Sequence, residues 1–180
     1  MRLAPSLTIS IVLLAGCSGT GDGNSATASS GSAAIAAVDL TNACAFLSVA
    51  DFAAAGFTAD GDGVDVSENF TLSTTSSVAC QWTTTVDNIG SSWELVIGNG
   101  DAQTAYDSEL SFAQPAAVTT VDLVDEAFLI DKVSSFNSAD HDFEVAARRG
   151  DTFFTLSTTD DRGAEAIVAL ATLVANQLAA

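Results

Sequence analysis

The period of the apolar residues changes several times along the chain, and each change marks a segment. The first run, Leu7, Ile9, Ile11, Val12, Leu13 and Leu14, follows a single basic residue, Arg2, and ends in small residues. Such a run is too short to span a bilayer comfortably and has the form of a secretory signal, expected over 1–16. From Ser18 to about Ala37 the chain is Gly, Ser, Ala and Thr with Asp22 and Asn24, and no large apolar residue stands before Ile35. A segment of that composition buries too little surface to offset its ordering entropy, so 17–38 reads as a flexible tether. The folded domain is expected over 39–180.

Within that domain, Thr41 or Asn42 is placed to cap a short helical turn carrying Cys44, Phe46 and Leu47. Ser48-Val49-Ala50-Asp51 has the pattern of an N-cap with an acidic third residue. The helix it opens runs through Phe52 and ends at Gly56. Asp60-Gly61-Asp62-Gly63 reads as a turn. The period then changes to two. Val64, Val66, Phe70 and Leu72 suggest one interrupted strand, Val78, Cys80, Trp82, Thr84 and Val86 one face of a second, and Trp93, Leu95 and Ile97 one face of a third. Asp101 is the expected cap of a second helix with the stripe Ala102, Tyr106, Leu110 and Ala113, stopped by Pro115. Four more strands are expected over 118–124, 128–130, 143–147 and 153–156. Asp160 or Asp161 would cap a last helix whose wide apolar face is Ala164, Ile167, Val168, Ala171, Val174, Ala175 and Leu178. The order predicts an α+β domain, an antiparallel sheet of six to seven strands with about three helices segregated onto it.

Leu14-Ala15-Gly16-Cys17 resembles the lipobox of bacterial lipoproteins. The resemblance implies cleavage before Cys17, a fatty-acylated cysteine, and a protein held on the outward face of a cell membrane. Two cysteines then remain, Cys44 and Cys80, in an oxidising compartment, and two cysteines allow one pairing. Such a bridge stabilises the fold by about 4 kcal/mol in the chain-entropy model. It also pins the first helix to the sheet, since Cys80 points inward from its strand. Two cysteines and the single His are too few for a closed zinc site, and an oxidised cysteine is no nucleophile. No metal and no cofactor are expected.

The formal charge of the chain is -18, and only Lys132, Arg148, Arg149 and Arg162 are basic beyond the signal. That charge repels phosphate backbones, so nucleic acid is excluded as a partner.

The segment from Asn42 to Asp51, ending at Gly56, resembles the opening helix of a group of actinobacterial lipoproteins of unknown function. It is similar also to the extracellular sensor domains of mycobacterial-type serine/threonine kinases. Cys80-Gln81-Trp82, Asp125-Glu126-Ala127 and Arg149-Gly150-Asp151 fall where that family has a Cys-x-Trp strand, an acidic strand start and a hairpin. The family's Asp-Pro before the first cysteine is Asn42-Ala43 here. The resemblance implies a lipid-anchored extracytoplasmic domain with one bridge, and carries no catalytic residue.

Several constellations compete with plainer readings. Arg149-Gly150-Asp151 is an integrin-binding tripeptide, but Gly150-Asp151 also suits a two-residue type II′ turn, the preferred reading. Asp60, Asp62, Asp65 and Glu68 offer oxygens for Ca²⁺, yet the EF-hand spacing fails and a solvated loop is preferred. His141 stands between Asp140 and Asp142, with no Gly-x-Ser-x-Gly turn anywhere to supply a nucleophile. Paired carboxylates for glycoside chemistry stay open, because acids are abundant and their separations are unknown. Trp82 and Trp93, on the inward pattern of neighbouring strands, read as core.

Two functions of different class follow. One is a lipid-anchored binding or sensing module of the cell envelope, taking a small ligand or an envelope protein. The other is a small envelope hydrolase using carboxylates or His141. Scarcity of activated groups favours the first, with a ligand cavity expected between the sheet and the second helix at Tyr106 and Leu110, and Gly98-Asn99-Gly100 as hinge.

Overall fold

The computed structural model describes residues 40–70, 76–86, 89–113, 117–133 and 141–178. The signal, Cys17 and the tether lie outside them. Among the described residues the sheet has seven antiparallel strands: β1 Val64–Asp65, β2 Ser76–Val86, β3 Ile89–Asn99, β4 Val118–Thr120, β5 Glu126–Val133, β6 His141–Arg149 and β7 Thr152–Thr158. Their order is β1-β2-β3-β7-β6-β5-β4. The last strand is thus inserted beside the first hairpin, with Leu95 opposite Leu156 and Leu156 opposite Val145. Among the described residues three α-helices accompany the sheet: α1 Val49–Ala54, α2 Ala102–Phe112 and α3 Ala164–Gln177.

The first segment folds as its local chemistry dictates. The Asn42 side chain accepts from the Cys44 amide at 2.9 Å, capping a 3₁₀ turn over Ala43–Ala45. Ser48 and Asp51 form a reciprocal capping box, with the Ser48 amide donating to Asp51 Oδ2 at 2.7 Å. After α1, Gly56 takes φ 90°, a conformation that favours glycine. Cys44 and Cys80 are bridged, with Cα atoms 5.1 Å apart, so the predicted pairing stands.

Alternation divides the sheet into two faces. On one, Trp82, Trp93, Leu95, Ile97, Val145, Ala147, Phe154 and Leu156 meet Phe52 of α1 and Ile167, Leu170, Ala171 and Val174 of α3. Phe52 lies between the indoles, 5.4 Å from Trp82 and 5.5 Å from Trp93. Both tryptophans are buried, as expected; Trp93 Nε1 donates to Thr84 Oγ1 at 3.1 Å. Burial of each such large apolar side chain is worth roughly 1.5–3 kcal/mol. The opposite face carries a smaller core, where Ala102 and Ala105 of α2 pack on Phe128, Ile130, Ala146 and Phe153.

The helices pack on the antiparallel sheet as expected, α1 and α3 on one face and α2 on the other. Strand β1 is shorter than predicted. The Asp65 carboxylate accepts from both the Ser67 amide, at 2.9 Å, and the Ser67 hydroxyl, at 2.6 Å, and this local bonding turns the chain into a 3₁₀ segment over Ser67–Asn69. Phe70 follows in extended conformation, and Leu72 is outside the described residues. Strand β4 stops at Thr120 because the chain bends back into β5, the Val121 amide donating to the Ala127 carbonyl at 3.1 Å.

Two predicted caps are not made. Asp101 precedes α2 but adopts φ 55° with no side-chain cap bond. The residue before α3 is Gly163, because Asp160 is held elsewhere. On α2 the buried residues are Ala102 and Ala105, and Leu110 is 41% exposed, so the packing face is rotated from the predicted stripe. Pro115 lies outside the described residues.

Candidate functional site

The α2-bearing face of the sheet is polar at one end. Glu94 of β3, Ser157 of β7 and Glu144 of β6 are consecutive cross-strand partners, as are Asp142 of β6 and Lys132 of β5. Cross-strand partners project from the same face, so these side chains share one surface. Together with Ser92, Thr158, Thr159 and Phe143 they line an open groove of about 260 Å³. Two strand spacings place the Cα atoms of Glu94 and Glu144 about 10 Å apart.

The electrostatics are lopsided. Lys132 Nζ donates to Glu144 Oε2 at 2.8 Å, while Glu144 Oε1 is buried without a hydrogen-bond partner. Burial, and then the Glu144 charge, raise the Glu94 carboxyl above the ordinary glutamate range. Glu109 of α2 is raised as well, by burial and by Glu144, with Lys132 partly opposing the shift. Glu94 and Glu109 thus both lie in the field of Glu144, which is itself paired with Lys132. Acceptors outnumber donors in the lining, so the groove suits a molecule that brings donors or positive charge.

The residues singled out from sequence are elsewhere. Tyr106 packs edge-on against Phe128 with ring centres 5.0 Å apart, and burial first, then Glu126, raises its hydroxyl pKa. Leu110 is exposed, and neither residue lines the groove. The groove is lined by residues of β3, β5, β6 and β7 and by Thr159 just after β7, and by none of α2. Gly100 has φ 80° and donates its amide to the Asp151 carbonyl at 2.9 Å, tying the expected hinge to the β6–β7 turn.

His141 is two residues from Phe143 on β6 and shares its face, opposite that of Glu144; the two rings stack at 6.1 Å. His141 Nδ1 is 2.5 Å from Asp131 Oδ1. Asp60 Oδ2 accepts from the Thr85 hydroxyl at 2.8 Å, and Asp65 is held below the usual carboxylate range by the Ser67 hydroxyl and amide. Among the described residues no group of three His, Cys, Asp or Glu is arranged to hold a metal ion. At Arg149-Gly150-Asp151 the φ of Gly150 is positive, 55°, and that of Asp151 is not, as a II′ turn requires. The Gly150 amide donates to Asp125 Oδ2 at 2.8 Å, so the turn has a structural role.

Sequence reasoning passed over Glu94, Lys132 and Glu144. The signal available was their outward position on strands, which by itself reads as solvated surface. Comparison of the chain with protein-family models, with curated proteins and with solved structures finds no match.

Proposed function

We propose that the chain is a lipid-anchored, extracytoplasmic binding or sensing module that uses the Glu94–Glu144 groove to take a small ligand rich in hydrogen-bond donors. The supporting observation is the buried Glu144 Oε1, an acceptor without a partner beside a carboxylate arm already held by Lys132. A buried acceptor left unpaired costs about 1–3 kcal/mol, which a ligand donor would recover. The lipobox at Leu14–Cys17 supports the anchor, and no helix among the described residues is long and apolar enough to cross a membrane.

The binding reading is tested by NMR titration of the protein with spermidine and, separately, with a neutral oligosaccharide. Shifts concentrated at Glu94, Glu144 and Lys132, and lost in Glu144→Gln, support it; shifts spread over the acidic surface and unchanged in the variant count against it. The anchor is tested by radiolabelled fatty acid, whose incorporation should vanish in Cys17→Ser.

The hydrolase reading keeps one specific observation in its favour. Glu94, with its raised pKa, and Glu144, paired with Lys132, are two carboxylates in different environments on one groove, the division that general acid–base chemistry uses. Turnover of an envelope glycan that disappears in Glu94→Gln would establish it over binding alone.

A further inference from the structure

The groove is built on one transverse row of the sheet. Lys132 of β5, Glu144 of β6, Ser157 of β7 and Glu94 of β3 follow one another across four adjacent strands, and Ser157 is the register partner of both glutamates. All four line the groove. The row begins with an ammonium already seated on a carboxylate, Lys132 Nζ donating to Glu144 Oε2 at 2.8 Å. It ends with a carboxylate that has no cation, since among the described residues no ion pair involves Glu94.

We propose that the groove binds a small hydroxylated amine of the amino-sugar class, whose ammonium takes the place of Lys132 on Glu144 and bridges to Glu94 over Ser157. The proposal names the ligand class of the binding site proposed above and rests on that reading. Lys132 is the internal stand-in for the ligand. Its side chain is 48% exposed, and ion pairs made by exposed side chains are weak, so it is readily displaced. A free ammonium carries three donors, which match Glu144, the Ser157 hydroxyl and Glu94. Lys132, held on β5, meets Glu144 alone of these three among the described residues.

The charge of the lining selects a cation. Glu94, Asp142 and Glu144 stand against the single ammonium of Lys132, so an anion is repelled and a neutral ligand gains nothing from the excess. Burial and the Glu144 charge disfavour the ionised Glu94, and a cation set between the two carboxylates relieves their repulsion. The rest of the lining suits a hydroxylated body. Ser92 Oγ accepts from Gln81 Nε2, and Thr159 Oγ1 from the Ser92 amide, each at 3.1 Å, so each hydroxyl keeps its own proton to donate to a ligand oxygen. Phe143 adds an apolar strip for the face of a ring, and a volume of about 260 Å³ fits one ring better than a chain of them.

The test is NMR titration of the full chain in uncharged detergent micelles near neutral pH, at about 0.15 M salt to screen diffuse attraction by the acidic surface. Three probes share one scaffold, glucosamine, glucose and N-acetylglucosamine, and only the first carries a positive charge. Glucosamine is expected to shift Glu94, Glu144 and Ser157, and the neutral sugars to bind at least about ten-fold more weakly, as loss of a charged hydrogen bond implies. Glu94→Gln and Glu144→Gln should each weaken glucosamine to a similar extent, whereas Lys132→Met, which removes the stand-in, should tighten it several-fold. Should Glu144→Gln fail to fold, the other two variants still decide. Weaker binding in Lys132→Met would overturn the proposal. Groove shifts as large with glucose as with glucosamine, or seen with spermidine and not with glucosamine, would overturn the amino-sugar class and leave the binding site standing. Absence of groove shifts with every probe would overturn both.

Discussion

The Arg162 guanidinium lies 5.4 Å over the ring of Phe57. The same guanidinium donates from Nη2 to Asp160 Oδ2 at 2.7 Å and from Nε to Oδ1 at 2.9 Å, and Asp160 also accepts from Ser91 Oγ at 3.1 Å. Phe57 in turn stands edge-on to Trp93 at 4.9 Å. One buried carboxylate and one half-exposed arginine thereby tie the chain after α1, strand β3 and the entry to α3 into one corner.

Asp160→Asn is expected to destabilise the domain by about 1–3 kcal/mol, the range for a charged hydrogen bond lost from a buried partner set, read from urea midpoints. Burial alone would raise the Asp160 carboxyl; the hydrogen bonds from the Arg162 side chain and backbone, its charge, and the Ser91 hydroxyl outweigh it and lower the pKa. Its stabilisation is therefore present above the unfolded aspartate pKa and lost as pH falls through the lower folded value. The variant should show a smaller loss of stability on acidification than the parent chain.

Glu94→Gln should act with the opposite sign. At neutral pH the ionised Glu94 is penalised by burial and by Glu144, so the amide, which carries no charge, is expected to raise thermal stability. The gain should shrink on acidification, as the parent carboxyl takes up its proton. A Glu94→Gln chain less stable than its parent at neutral pH would refute the assignment.

Reduction of the Cys44–Cys80 bridge, or the Cys44→Ala/Cys80→Ala pair, should cost about 4 kcal/mol on the chain-entropy estimate. Thiol titration of unreduced, denatured protein should find neither cysteine.

Gly63→Ala should be costly although the position is in a loop. A Cβ there would stand 2.3 Å from Cys80 Sγ and 2.6 Å from the Trp82 ring, both buried. Overpacking of this kind costs typically about 1–3 kcal/mol. Gly61→Ala, where a Cβ meets nothing within 4 Å, is the control for calorimetric midpoints.

Phe52→Ala removes the ring between both indoles and should cost about 3–5 kcal/mol, with a change in tryptophan fluorescence. Loss of the denaturation transition altogether would mean that α1 is indispensable to the core.

The features that the sequence determined are those whose causes are local. The Ser48–Asp51 capping box, the Gly56 stop, the Gly150-Asp151 turn and the inward alternation of Cys80, Trp82, Trp93 and Leu95 depend on residues a few positions apart. Cysteine arithmetic gave the bridge because only one pairing was possible once Cys17 was set aside. What tertiary structure decided involves distant competitors. Asp160 resembles a helix cap until Ser91, far away in the chain, and Arg162 take up its oxygens. Tyr106 and Leu110 occupy one helical stripe, yet the orientation of α2 on the sheet buries Ala105 and exposes Leu110. The groove is the plainest case. Glu94 and Glu144 become neighbours across Ser157 only because β7 inserts between β3 and β6, and strand order is a long-range choice that no local period encodes.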